Sequence, residues 1–205
     1  YPLVQCCEYV PALDSPSVSI DNYSAALETV NYLISLGHER IAMMSAANDF
    51  ISTRQRVQGY RDALAGAGLK AGEKMLVMAS ADYSYASGLA AAEKLLALPE
   101  RPSAVFCVSD ILALSVISRA HDMGLSVPGD LAVTGFDDVD YTTMFHPYLT
   151  TVAQPCYEMG QQSLRILLGM LGGGQNVKKR TYLPHRLVVR ESACPSGGCG
   201  NNEKE

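Results

Sequence analysis

Polar side chains able to grip a small molecule gather at four places in this sequence, each just past a short apolar run. They are residues 45–56, the pair Asp82 and Tyr83, the pair Ser109 and Asp110, and the pair Asp137 and Asp138. An Arg donates in a planar fork, a carboxylate accepts from vicinal hydroxyls, and a Tyr ring stacks on an apolar face, so Arg56, Tyr83, Ser109, Asp110 and Asp137 together suit a polyhydroxylated or heterocyclic ligand. Each has a plainer reading that stays open at this stage. Asp110 can be only a helix N-cap and Asp137 only a turn former. Arg56 can be a solvated helix charge, and Tyr83 a packing residue.

Catalytic spacing is missing. The chain has no nucleophile elbow, no His-Glu-x-x-His pair, no phosphate loop and no dinucleotide fingerprint after a strand. Asp137 and Asp138 are adjacent, and neighbours in an extended segment point apart, so they cannot flank one bond as acid and base. Gly172, Gly173 and Gly174 follow a helix, whereas a phosphate loop follows a strand, and they read as a flexible exit. His38, His121, His146 and His185 show no metal spacing. Of the six cysteines only Cys194 and Cys199 stand near each other apart from the adjacent Cys6 and Cys7, and no His completes a zinc set, so neither metal nor cofactor is expected.

The elements that must position those side chains are legible from periodicity. Between residues 20 and 150 apolar runs alternate with amphipathic stretches, the pattern of successive β-α units in a parallel sheet. Asp21 is a plausible N-cap for a helix carrying Ala26, Leu27, Val30, Leu33 and Ile34, with Gly37 at its stop. A strand from Ile41 to Met44 follows, then a helix with Val57, Tyr60, Leu64 and Ala67, and an apolar run from Met75 to Ala79. A third helix carries Leu89, Ala92, Leu95 and Leu96. Ala104 to Val108 reads as a strand buried on both faces, and Ala113, Val116, Ile117 and Ala120 mark a fourth helix closed by Gly124. Strands at 131–134 and 150–153 come next, then a helix with Leu164, Leu167, Leu168 and Leu171, and one more strand over 180–192 with Pro184 at an edge or bulge. In such a sheet ligands bind beyond the carboxyl ends of the strands, where the polar groups above lie.

Charge and composition narrow the partners. The 205 residues carry a formal charge of -5, and the longest basic run is Lys178, Lys179 and Arg180, too little to neutralise a stretch of phosphates. Nearly half the residues are apolar, enough for a real core, yet no apolar run is long enough to span a bilayer. With no basic start or cleavage site in its opening residues, the chain is expected to be cytoplasmic, with no membrane partner.

Five stretches occur in order: VSIDNYSAALETVNYLISLGHERIAMMS, RVQGYRDAL, RPSAVFCVSDILAL, GLSVPGDLAVTGFDD and HPYLTTVAQPCYEMGQQSLRILL. Together they resemble the effector-binding domains of lactose/galactose-type repressors over residues 1–192, with nucleoside-responsive members such as the cytidine sensors most similar. The resemblance implies an α/β, periplasmic-binding-protein-like fold of two lobes, each a parallel sheet flanked by helices, with a cleft between them. It implies that an effector in the cleft changes the lobe angle, and that this controls operator DNA binding by a separate helix-turn-helix head. It also implies a homodimer when complete.

Carried over by position, Arg56, Tyr83, Ser109 and Asp137 match residues lining that cleft. Ser52 falls in a contacting loop, and Asp110 matches an Asp at the same helix start. Phe50 stands where purine-binding members carry Arg, which argues against a purine base. The resemblance divides the chain into 1–19, part of an N-terminal lobe that is incomplete; 20–152, the C-terminal lobe; 153–175, a return to the first lobe; 180–192, a return to the second; and 193–205, a disordered tail. The expected effector is a nucleoside, purine or sugar. Two alternatives stand beside it: regulation through a protein co-regulator, and a periplasmic-type sugar or nucleoside carrier of a transport system.

Overall fold

The computed structural model describes residues 1–70, 72–173 and 178–194. Four strands, β3 (Ile41–Ala46), β4 (Leu76–Ala79), β5 (Ala104–Cys107) and β6 (Ala132–Thr134), form one parallel sheet in the order β4-β3-β5-β6. Four helices connect and cover it: α1 (Asn22–Ser35), α2 (Ile51–Gly66), α3 (Tyr85–Leu96) and α4 (Asp110–Asp122). Every residue of β3, β5 and β6 is buried, which is why these strands read as continuous apolar runs without alternation.

Local chemistry sets the helix ends. Asp21 caps α1, its carboxylate accepting from the Ser24 amide at 3.0 Å, and Gly37, at φ 87°, takes the left-handed position beyond the stop. Ser109 caps α4 through the Leu112 amide. α1 and α2 pack so closely at Gly59 that an added Cβ would lie 3.0 Å from Ala26 Cβ and from the Leu27 amide nitrogen.

A smaller parallel sheet joins β1 (Gln5–Cys6), β2 (Ser17–Ile20) and β8 (Arg180–Leu183), covered by α5 (Cys156–Leu171). The segment expected as one strand over 180–192 is instead two. Arg180–Leu183 runs parallel to β2, whereas β9 (Arg186–Val188) runs antiparallel to β7 (Thr151–Ala153). Pro184 cannot donate to a ladder, and the break there lets the chain leave one sheet for the other. Residues 180–183 therefore join the sheet of the N-terminal segment rather than the larger sheet. Bridges between Thr134 and Thr150 and between Asp137 and Ala153 seat β7 beside the end of β6.

The tail expectation is corrected at its first residue. Ala193 is fully buried in a 3-10 turn, and its carbonyl accepts from the Tyr32 hydroxyl at 2.6 Å. Residues 195–205, the remainder of that expectation apart from Cys194, lie outside the described residues, as do 174–177. α5 buries only Met159 and leaves Tyr157, Leu164, Leu168 and Leu171 exposed. No helix among the described residues is long and apolar enough to cross a membrane, and no group of three His, Cys, Asp or Glu there is placed to hold a metal.

Candidate functional site

A cavity of about 380 Å³ opens where the carboxyl ends of the large sheet face the N-terminal segment. All six residues singled out in the sequence, Ser52, Arg56, Tyr83, Ser109, Asp110 and Asp137, line it. Their convergence follows from the topology: each sits at or just past the end of a parallel strand, or in the helix that follows.

Arg56 is the centre of the site. It is only 8% exposed, and its guanidinium lies 3.6 Å from the centroid of the Phe136 ring. Nε donates to Asn22 Oδ1 at 2.9 Å, and Nη1 donates to the Val108 carbonyl at 2.6 Å while standing 3.8 Å from Asp137 Oδ1. Nη2 has no acceptor among the described residues. Burial disfavours the charged guanidinium, and Asp137, Tyr83, Glu8 and Asp110 act to restore it. The reading of Arg56 as a solvated charge is thereby removed.

Asp137 has a left-handed backbone at φ 120°, a conformation that costs a non-glycine residue free energy, and Asp138 follows at 58°. The kink sends the two carboxylates apart. Asp138 accepts from Arg190 Nη1 at 2.7 Å, outside the cavity. Asp137 faces Arg56 and accepts from Gln154 Nε2 at 2.7 Å. Its carboxyl is raised above the usual range by burial, a shift that Arg56 and Gln154 oppose.

Asp110 is spent inside the protein. One oxygen accepts from Thr151 Oγ1 at 2.5 Å and the other from the Val139 amide at 3.0 Å, which ties the start of α4 to β7 and to the turn after Asp138. Burial pushes its carboxyl up to about 7 against the pull of those two donors. It is a latch that shapes one wall. Tyr83, also left-handed at φ 55°, hydrogen-bonds Thr53 Oγ1 through its hydroxyl at 2.8 Å. Ser52 is held by Glu8, whose carboxylate accepts from its amide at 3.1 Å and from its hydroxyl.

Sequence reasoning passed over Glu8, Tyr141 and Gln154, which also line the cavity, and Asn22, which positions Arg56. Only Gln154 had a local signal, inside the phrase LTTVAQP. Glu8 lies more than forty residues from Ser52, and nothing local foretold their meeting.

The sequence profile of the periplasmic-binding-protein-like domain matches residues 30–193. The HTH-type transcriptional repressor CytR of Escherichia coli K12 is 38% identical over 191 residues, 93% of this chain and 55% of that protein. A LacI-type transcriptional regulator from Bacillus cereus subsp. cytotoxis superposes with a TM-score of 0.87 at 30% identity, over 95% of this chain and 68% of that one. The chain belongs to the LacI family. A solved complex of the regulator CelR with cellobiose is similar too, with TM-score 0.85 and 34% identity over 92% of this chain and 58% of that one. These LacI-family relatives are transcription regulators that carry the same periplasmic-binding-like sensing domain, and the chain spans about half the length of the curated ones, 55% for CytR.

Proposed function

We propose that this LacI-family chain is the effector-binding part of a transcription repressor, and that its cavity takes a nucleoside, with cytidine the first candidate. The observation that carries the reading is the Arg56–Asp137 pair at the sheet's carboxyl edge, with Nη2 of Arg56 left without an acceptor among the described residues. A cation donor beside a carboxylate acceptor matches the paired hydroxyls of a ribose. Phe50, Ile111, Tyr83 and Tyr141 supply apolar and aromatic surface for a flat base. The volume suits a ligand of that size.

Effector bound to both walls favours one arrangement of the wall carrying Glu8 against the wall carrying Arg56. It acts only through its differential affinity for that arrangement. A separate DNA-binding head reads the change, most simply as a homodimer.

The test is a thermal-shift and calorimetric series on the full-length repressor with cytidine, other nucleosides, purine bases and cellobiose. At about one hundred times Kd a native-state ligand adds roughly 2.7 kcal/mol, or roughly 5–11 °C for a domain of this size. Cytidine should raise Tm, and D137A should remove the response while the protein stays folded. A response to cellobiose alone would support a sugar effector, as the CelR complex favours, and overturn the nucleoside. Unchanged cytidine affinity in D137A would overturn the site, and no response to any of them would point to a protein co-regulator.

A further inference from the structure

Neighbouring side chains in an extended strand point to opposite faces, so Cys6 and Cys7 would lie on opposite sides if β1 continued past Cys6. They do not. The Glu8 amide donates to the Cys6 carbonyl at 2.8 Å, closing a three-residue turn with Cys7 at its centre at φ 67°. Such a turn is rare and strained for any residue but glycine. The Cys7 amide also donates to the Val18 carbonyl at 2.9 Å, which pins the turn to the edge of the small sheet. As a result the two sulfur atoms stand 3.8 Å apart, both within reach of solvent. Cys7 lines the cavity beside Glu8, the residue that holds Ser52. Neither thiol fills the core, so packing gives no reason for cysteine at either position.

We propose that Cys6 and Cys7 are a redox-active dithiol on the cavity wall, which a hydroperoxide closes reversibly into a vicinal disulfide. Burial and the adjacent Cys6 sulfur raise the Cys7 thiol, and the part due to Cys6 is gone once Cys6 is oxidised, so the sequence of steps starts at the Cys6 sulfur. It attacks one peroxide oxygen and the O–O bond breaks. The other oxygen leaves as water or an alcohol with the thiol proton, and Cys6 becomes a sulfenic acid. The Cys7 sulfur then attacks the Cys6 sulfur. The S–O bond breaks, and the departing hydroxide takes the Cys7 proton and leaves as water. Two electrons from the two thiols have reduced one peroxide.

Adjacent Cα atoms are about 3.8 Å apart, short of the roughly 4.4–6.8 Å of ordinary disulfides. The product is therefore strained and readily reopened by a small thiol. Closure must draw the sulfurs from 3.8 Å to about 2.05 Å. That movement turns Cys7 within the wall and shifts the neighbouring Glu8 against Ser52. Cys156, at the start of α5, lies near enough for its charge to act on Cys7 and is the competing partner.

The experiment uses the full chain, fully reduced, exposed to hydrogen peroxide, alkylated and digested for mass spectrometry. The peptide bearing Cys6 and Cys7 should lose two hydrogens and take up no alkyl group. Dithiothreitol should restore both thiols, C156S should behave like the parent, and C6S should give no such species. Alkylation of both cysteines after peroxide, a Cys7–Cys156 link, or sulfinic acid at Cys6 with no disulfide would each overturn the proposal. No effector is needed, so failure here leaves the effector reading untouched, and failure of that reading leaves this one untouched.

Discussion

Replacing Arg56 with Met keeps most of the side chain's length and apolar stem and deletes the guanidinium. Asn22 Oδ1 and the Val108 carbonyl then lose their donors in a buried place, at about 1–3 kcal/mol each. Contact with the Phe136 ring, worth about 0.5–2 kcal/mol, goes as well. Against these losses stands the relief of a desolvated cation, several kcal/mol by general estimate. Asp137, about a third exposed to the cavity, keeps its bond from Gln154, so abandoning it costs less than the roughly 3–5 kcal/mol of a fully buried pair. We expect R56M to lose about 2–3 kcal/mol in all, roughly 4–12 °C in Tm for a domain of this size.

The loss should depend on pH, and the sign follows from Asp137. Burial raises its carboxyl above the usual value, and Arg56 opposes the rise. Without the cation the folded-state value climbs further. Stability tied to a raised carboxyl is fully present below the unfolded value and is lost as pH rises through the folded one. R56M should therefore be more destabilised at about pH 8 than at about pH 4.5. Urea unfolding of parent and variant at both pH values measures this directly. A variant within about 0.5 kcal/mol of the parent at both, or one more destabilised in acid, would refute the account of Arg56 as the pair's anchor.

Three further substitutions test the frame around the cavity. Asp110 has a carboxyl pushed up to about 7 from 3.8, so the protein should lose stability as pH rises across that interval, by about 4 kcal/mol in all at about 1.4 kcal/mol per unit; D110N should flatten that slope in urea titrations, and an unchanged slope would refute it. In G59A the new Cβ would come 2.5 Å from the Tyr23 carbonyl oxygen, a backbone atom that cannot give way, so despite alanine's better helix propensity the change should cost about 1–3 kcal/mol by calorimetry. Ser192 donates to the Val133 carbonyl at 2.6 Å and accepts from the Thr150 amide at 2.9 Å, both buried; S192A should cost about 2 kcal/mol in denaturant unfolding and leave effector affinity unchanged.

The family stretches, the β-α alternation, the cap at Asp21 and the stops at Gly37 and Gly124 were all legible in the sequence, because each depends on residues within a few positions of one another, whereas the cap of α4 is Ser109 and not Asp110, the residue the sequence offered for it. Also legible was the set Ser52, Arg56, Tyr83, Ser109, Asp110 and Asp137. In a parallel sheet every strand delivers its polar carboxyl-terminal residues to the same edge, so local position foretells spatial gathering. The single strand over 180–192 was misread for the opposite reason. Pro184 marked a break, but which sheet each half joins depends on partners about 160 residues away at β2 and about 35 away at β7.

Types and order within residues 20–171 were thus decided by the sequence alone: which segments there are strands or helices, which polar groups reach the sheet's edge, and which family the chain resembles, whereas β1, β2 and the split of 180–192 were not. Roles were decided by tertiary structure. Asp110 and Asp137 look alike on paper, each an Asp beyond an apolar strand. Only the fold shows Asp110 consumed by Thr151 and the Val139 amide, and Asp137 turned by a left-handed backbone to face Arg56. A carboxylate's function is fixed by which donors surround it and how much water it has lost. Those donors come from β7, from the turn after Asp138 and from α2, elements brought together only when the whole sheet closes.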